Sequence, residues 1–234
     1  MNKVIFFISF IIFSTNIIAQ KKQGFMKVIF EHLANGKNII YNDSSYINAF
    51  HENYSLSKLK YYVSDIHFVY TTKKQERKSV HLIDASKKNS LAVSFFGKGI
   101  KGISFLLGVD SLNNCSGAQS GPLDPLNDMF WTWNNGYIIF KLEGKSDSSK
   151  VDNNRIEHHV GGYKGANKAM REIALPINEN YFKKHNTIII QLNIDKYWMG
   201  INKLRIAETP VITAPGVLAK TAADNFEGMF LIKK

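Results

Sequence analysis

The residues best equipped for chemistry lie in one run, Met129-Phe130-Trp131-Thr132-Trp133-Asn134-Asn135-Gly136-Tyr137. On an extended backbone Met129, Trp131 and Trp133 share one face, and Phe130 and Thr132 take the other. Two indoles and a thioether on one face make either hydrophobic core or a platform on which a sugar stacks. An indole only donates a hydrogen bond, so a tryptophan becomes a metal ligand only after oxidation opens its ring. Downstream stand His158 and His159, followed by Val160-Gly161-Gly162-Tyr163. Strand neighbours point to opposite faces, so at most one of this pair enters a given site. His32, His67 and His81 sit in strand-like segments, where hydrogen-bonded structural histidines are the ordinary case. His51 and His185 have polar surroundings and read as surface residues.

Other patterns carry less. The one cysteine, Cys115, excludes a disulfide framework, a four-cysteine zinc site and an iron–sulfur cluster held by this chain alone. It stands in a polar loop and reads as an inert thiol, with a soft-ligand role left open. Asp110, Asn113, Asn114, Asp124, Asn127 and Asp128 crowd one loop with oxygens. Their spacing is not that of a dedicated calcium loop, and turn formation explains them. Gly97-Lys98-Gly99-Ile100-Lys101-Gly102 matches the spacing of a dinucleotide loop. A strand rather than a helix follows it, so a hairpin turn is expected instead. No serine has a nucleophile-elbow context, and no carboxylate pair stands out. An enzyme is not expected.

The elements that must position these residues show period-two alternation broken by Gly, Asn, Asp and Ser. The clearest strands are Met26–Leu33, a run from Leu59 to Tyr70, Ile103–Val109, Tyr137–Leu142 and Thr187–Ile194. Parity changes within the second run, which predicts a bulge near Ser64-Asp65. Shorter strands are expected at Val80–Ile83, Leu91–Phe95, Ile156–Val160 and Glu172–Leu175. Helix is confined to short pieces: Ala166–Arg171, Tyr181–Lys184, Asp195–Asn202 and Val217–Phe226. This points to an all-β fold, an antiparallel sandwich or barrel with a few short helices. The long connection Asn113–Asp128, with Gly117, Gly121, Pro122 and Pro125, has the length of a functional loop.

At 234 residues the chain makes one domain, and 44% hydrophobic residues exclude disorder. Residues 1–19 combine Lys3, the apolar run Val4–Phe13 and a small residue, Ala19, as a secretory signal does. That run is too short to span a bilayer. Residues 20–234 then form the mature domain, exported to the periplasm or cell surface without stable membrane insertion. Its basic residues come in scattered loop pairs such as Lys73-Lys74, Lys87-Lys88 and Lys183-Lys184, so no nucleic-acid partner is expected.

The order of motifs resembles the MbnP-like family, related to CorA/MopE-type exported copper proteins. The resemblance rests on Val28-Ile29-Phe30-Glu31-His32, Leu59-Lys60-Tyr61-Tyr62-Val63-Ser64-Asp65-Ile66 and Leu82-Ile83-Asp84. It continues through Ile103–Asp110, Leu123-Asp124-Pro125, Met129–Tyr137, His159-Val160-Gly161-Gly162 and Ala223–Phe230. The tyrosine pair before Ser-Asp-Ile, the Met-Phe-Trp-Thr-Trp segment and the order of the pieces are its specific features.

The resemblance implies an exported β protein that binds copper(I) through histidine and kynurenine, a tryptophan oxidised by a di-haem partner enzyme. It further implies work alongside outer-membrane copper-uptake machinery. Carried over, the tryptophan is Trp131 or Trp133 and one histidine is His159. Relatives place a second histidine near the position of Asn113-Asn114-Cys115, and this chain has none between His81 and His158. Cys115, Met129 or His32 are the candidates to complete the set, with His158 the neighbour of His159. The alternative reading is a cell-envelope structural, interaction or glycan-binding module that has lost the metal.

Overall fold

A computed structural model describes residues 23–233 apart from 43–44, 71–78, 97–98, 135 and 179. The expected leader, 1–19, and the pair Lys73-Lys74 lie outside the described residues. Fourteen strands follow in order: β1 (Gln23–Ala34), β2 (Lys37–Asn38), β3 (Tyr46–Ile47), β4 (Asn53–Tyr70), β5 (Val80–Asp84), β6 (Asn89–Phe96) and β7 (Ile100–Leu107). Next come β8 (Phe130–Trp131), β9 (Gly136–Lys145), β10 (Arg155–Gly161), β11 (Arg171–Pro176), β12 (Thr187–Asn193), β13 (Val211–Ile212) and β14 (Phe230–Ile232). The α-helices are short: α1 (Ser111–Cys115), α2 (Tyr181–Lys184), α3 (Asp195–Trp198) and α4 (Val217–Ala223).

Two sheets form. The smaller runs β14-β12-β1-β2 with β6 also on β1; the larger runs β11-β7-β4-β9-β10-β13, with β3, β5 and β8 at its margins. They curl into a half-barrel, an all-β fold as the alternation predicts. Most ladders are antiparallel, but β1·β12 and β10·β13 are parallel. Gly97-Lys98 lie outside the described residues, but the strands on either side of the glycine run do not pair with each other as the arms of the expected hairpin would. The strand before it, β6, pairs with β1 of the small sheet, and the strand after it, β7, pairs with β4 and β11 of the large one. The predicted bulge is present: Asp65 takes φ +53° and the β4·β7 register shifts between Ser64 and His67.

Alternation divides the large sheet into two faces with different duties. Tyr61 packs inward against Phe30, Phe140 and Phe230. Its neighbour Tyr62 joins a separate small cluster with Val109, Leu123, Met129, Trp131, Tyr137 and Ile138. The second cluster fastens the long connection to the sheet. Tyr62 Oη donates to the Pro122 carbonyl (3.0 Å) and Tyr137 Oη to that of Leu123 (2.8 Å).

Candidate functional site

The Met-Phe-Trp-Thr-Trp segment is not extended throughout, which corrects the expectation that Met129, Trp131 and Trp133 share a face. Only Phe130 and Trp131 pair as a strand, opposite Tyr137 and Gly136. The chain then turns, and the Asn134 amide donates to the Trp131 carbonyl at 3.3 Å. Alternation stops at the turn. Met129 is fully buried, Trp131 is 6% exposed, and Trp133 is 65% exposed with its ring 5.8 Å from that of Trp131 at 48°.

Trp131 lies against β10. A Cβ placed on Gly161 would come within 2.6 Å of the Trp131 ring and 2.7 Å of the Tyr137 carbonyl oxygen. The indole therefore fills the space that a side chain at 161 would need. His159 is two residues earlier on the same strand, half-buried on the face where Trp131 rests.

A charged network surrounds His159. Its Nε2 donates to Glu143 Oε1 at 2.9 Å, since a carboxylate only accepts, and its Nδ1 is 3.7 Å from Glu157 Oε1. Lys58 reaches both Glu143 (3.1 Å) and Asp128 (2.9 Å), and the buried Lys141 ammonium lies 2.9 Å from Asp128. The His159 hydrogen bond, against the opposing effect of burial and with help from Lys58 and Lys141, holds the Glu143 carboxyl down at about 2. For Asp128 burial pushes upward, but Lys58 and Lys141 outweigh it and bring the group to about 2.

His158 points the other way and is sealed in the core. Its Nε2 lies 2.7 Å from the Thr209 carbonyl and its Nδ1 2.7 Å from Tyr197 Oη. A carbonyl only accepts, so Nε2 carries the proton and Nδ1 takes the tyrosine hydroxyl. Burial pushes this imidazole down to about 4, against the Thr209 carbonyl. His32 on β1 repeats the arrangement: Nε2 is 2.9 Å from Tyr61 Oη, and burial brings it to about 4. Both are neutral inner-face residues, away from the face that holds Trp131 and His159.

Cys115 is exposed at the end of α1, a helix that the sequence reading missed. Its signal was present: Asp110 accepts from the amides of Leu112 and Asn113, as an N-cap does. Glu143 and Gly161 were also missed. Glu143 sits directly opposite Glu157 in the β9·β10 ladder, and Gly161 is fixed by the indole against it.

Trp131 and Met129 thus share one small cluster, His159 stands on the strand against which Trp131 rests, Trp133 lies beside Trp131, and His32 and His158 are held on the inner face. Among the described residues no three His, Cys, Asp or Glu side chains gather to hold a metal ion. As the chain stands, an intact indole has no lone pair to add to the His159 imidazole and the Met129 thioether.

The sequence profile of the MbnP family matches residues 23–215. No curated protein sequence matches the chain. Among solved structures, MbnP from Methylosinus trichosporium aligns with a TM-score of 0.57 at 15% identity, over 78% of this chain and 80% of that one. That likeness is one of fold.

Proposed function

This chain belongs to the MbnP family, which is linked to copper handling, and from that premise we propose an exported copper(I)-binding protein. It sequesters or hands over the metal in the periplasm or at the cell surface, without turnover of its own. The observation that carries the reading is that β10 presents His159 and the resting place of Trp131 on one face. Glu143 holds the imidazole by Nε2, the carboxylate–histidine support often found behind metal ligands, and leaves Nδ1 as the donor.

The indole must be rebuilt to contribute. Oxidative cleavage of its C2–C3 bond by a di-haem partner, with dioxygen or two equivalents of peroxide supplying both oxygen atoms, gives the N-formyl ketone, and hydrolysis then releases C2 as formate. The remaining amine and ketone supply lone pairs where the ring had none, and borderline donors of this kind suit copper(I). Trp131 is the tryptophan we assign, because it shares the face of His159; uptake machinery in the outer membrane is the receiver we assign.

The test is peptide mass mapping across residues 123–141 of protein made with and without the oxidising partner, followed by copper(I) competition titration. The expected result is ring opening at Trp131 and tight binding only by the oxidised form, with His159→Ala lowering affinity at least tenfold. Tight binding by the unmodified chain, or an unchanged affinity in His159→Ala, refutes the assignment.

A further inference from the structure

We infer that the cleft beside the Trp131–Asn134 turn binds a saccharide, and specifically a pyranose bearing a carboxylate. The cleft has a volume of 280 Å³ and lies among the β8 turn, the loop after β10 and the segment leading into α4. At ~30 Å³ per water it holds roughly nine waters, the space of one six-membered sugar ring.

Its walls are of two kinds. The half-buried Tyr163 ring and the exposed Trp133 ring supply aromatic surface, and the nearly buried Trp131 and Tyr137 form the floor between the walls. Asn134 and Asn167 supply amides. Both amides are exposed, so they are open to a ligand. Flat apolar surface beside a few exposed donors and acceptors is what a ring with an apolar face and equatorial hydroxyls requires. A purely apolar ligand would leave both amides unpaired on binding.

Charge narrows the ligand class. Among the described residues Lys164 is the only charged one lining the cleft, and its ammonium rests 4.9 Å over the Tyr163 ring. With no carboxylate in the lining, a cationic sugar is disfavoured and an anionic one is attracted. The whole chain carries a formal +11, which favours encounter with an acidic polysaccharide over a neutral one. The ligand is therefore a uronic acid, either free or as a unit of such a polymer.

The experiment is a tryptophan-fluorescence titration of the full mature chain, metal-free and made without the oxidising partner. The probes are glucuronate, glucose and an alginate oligomer. Trp198 is fully buried, so a ligand-dependent change reports Trp131 and Trp133. The expected result is saturable binding of uronate, several-fold tighter than glucose and weakened by salt. Asn167→Ala and Lys164→Met should each weaken it about tenfold and leave copper binding untouched, since neither residue is among the donors assigned to copper. Tighter binding of the oligomer than of the free sugar supports the polymer as source; equal binding supports the single ring. No saturable response to any of the three, or parental binding in both variants, overturns the inference and leaves the copper reading standing.

Discussion

Gly161→Ala is the sharpest probe of how the indole is held. The added Cβ would stand 2.6 and 2.7 Å from two Trp131 ring carbons and 2.7 Å from the Tyr137 carbonyl oxygen. Carbon–carbon contacts settle at about 3.5–4.0 Å, so the ring must retreat by roughly 1 Å. It cannot retreat freely, because Trp131 is nearly buried in the cluster formed by Met129, Tyr62 and Tyr137. The carbonyl cannot yield either without disturbing the neighbouring Gly161↔Ile138 pairing, where the register already shifts. Overpacking of this sort costs about 1–3 kcal/mol. For a chain of this length that is a Tm drop of roughly 2–12 °C.

The assay is thermal unfolding at neutral pH together with tryptophan emission and acrylamide quenching. The variant should unfold earlier, and its emission should shift red as the Trp131 ring moves outward. Gly228→Ala is the control, because nothing lies within 4 Å of a Cβ there. No positive φ is involved at either position, so the comparison isolates crowding from backbone strain. A Gly161→Ala variant with the parental Tm and unaltered emission would show that the indole does not rest against residue 161, and the shared face with His159 would go with it.

The remaining predictions concern the inner face and its supports. His32 and His158 are pushed down to about 4 when folded against about 6.5 unfolded. The unfolded chain then binds more protons across that window, so stability is full above about pH 6.5 and falls toward pH 4, by up to ~1.4 kcal/mol per pH unit for each histidine; a flat Tm between pH 6.5 and 4.5 would contradict this. Asp128 and Glu143 are lowered to about 2, so their contribution, present above about pH 4.5, is lost at still lower pH and should appear as a second stage of acid unfolding. Tyr197→Phe leaves the buried His158 Nδ1 without its donor and should cost about 1–3 kcal/mol, read as a lower urea midpoint. Glu52→Ala removes a carboxylate that accepts from the amides of Ile206 (2.8 Å) and Ala207 (2.9 Å); a loss of about 2–4 kcal/mol is expected, with faster hydrogen exchange from residue 204 to 212.

β1 and the first half of β4 were legible because their inward residues alternate with more exposed ones, whereas β9 is buried on both faces from Gly136 to Leu142 and was legible as an apolar run. Val28, Phe30 and His32 on β1, and Leu59, Tyr61 and Val63 on β4, alternate in sequence as they do in the core. The bulge in β4 was legible for the same reason, as a change of parity. Helices were read less well. The stretch from Ala166 to Arg171 holds only one turn of 3-10 helix, Gly165–Asn167, and Arg171 already begins β11. Its apolar pair Ala169-Met170 is buried core rather than one side of a helix. The expected helix Asp195–Asn202 stops at Trp198, where Asn225 takes over by donating its side-chain amide to the carbonyls of Tyr197 and Asn202. The parallel pairing of β1 with β12 joins segments about 160 residues apart, and no local pattern encodes it. At the site, the opposite orientation of His158 and His159 followed from strand geometry alone. The exposure of Trp133 did not, because it depends on a turn held by a backbone hydrogen bond.

The charge balance around His159 bears on what kind of donors can complete a site there. Lys58, Lys141 and Arg155 stand against Asp128, Glu143 and Glu157, and these six are already joined in ion pairs. Any ion arriving at Nδ1 therefore meets a face whose carboxylates are committed to lysine, arginine or the imidazole itself. Recruiting Glu143 as a ligand would release His159 and leave Lys58 one partner short, with the buried Lys141 losing a nearby negative charge. A further donor that is neutral avoids that penalty, because it adds lone pairs without taking a counter-charge from a lysine. The inner-face histidines do not supply one, since both nitrogens of His158 are engaged and His32 is tied to Tyr61. On the outer face two neighbouring side chains meet that requirement in different ways: Met129 carries a thioether as it stands, and Trp131 yields lone pairs only after its ring is opened.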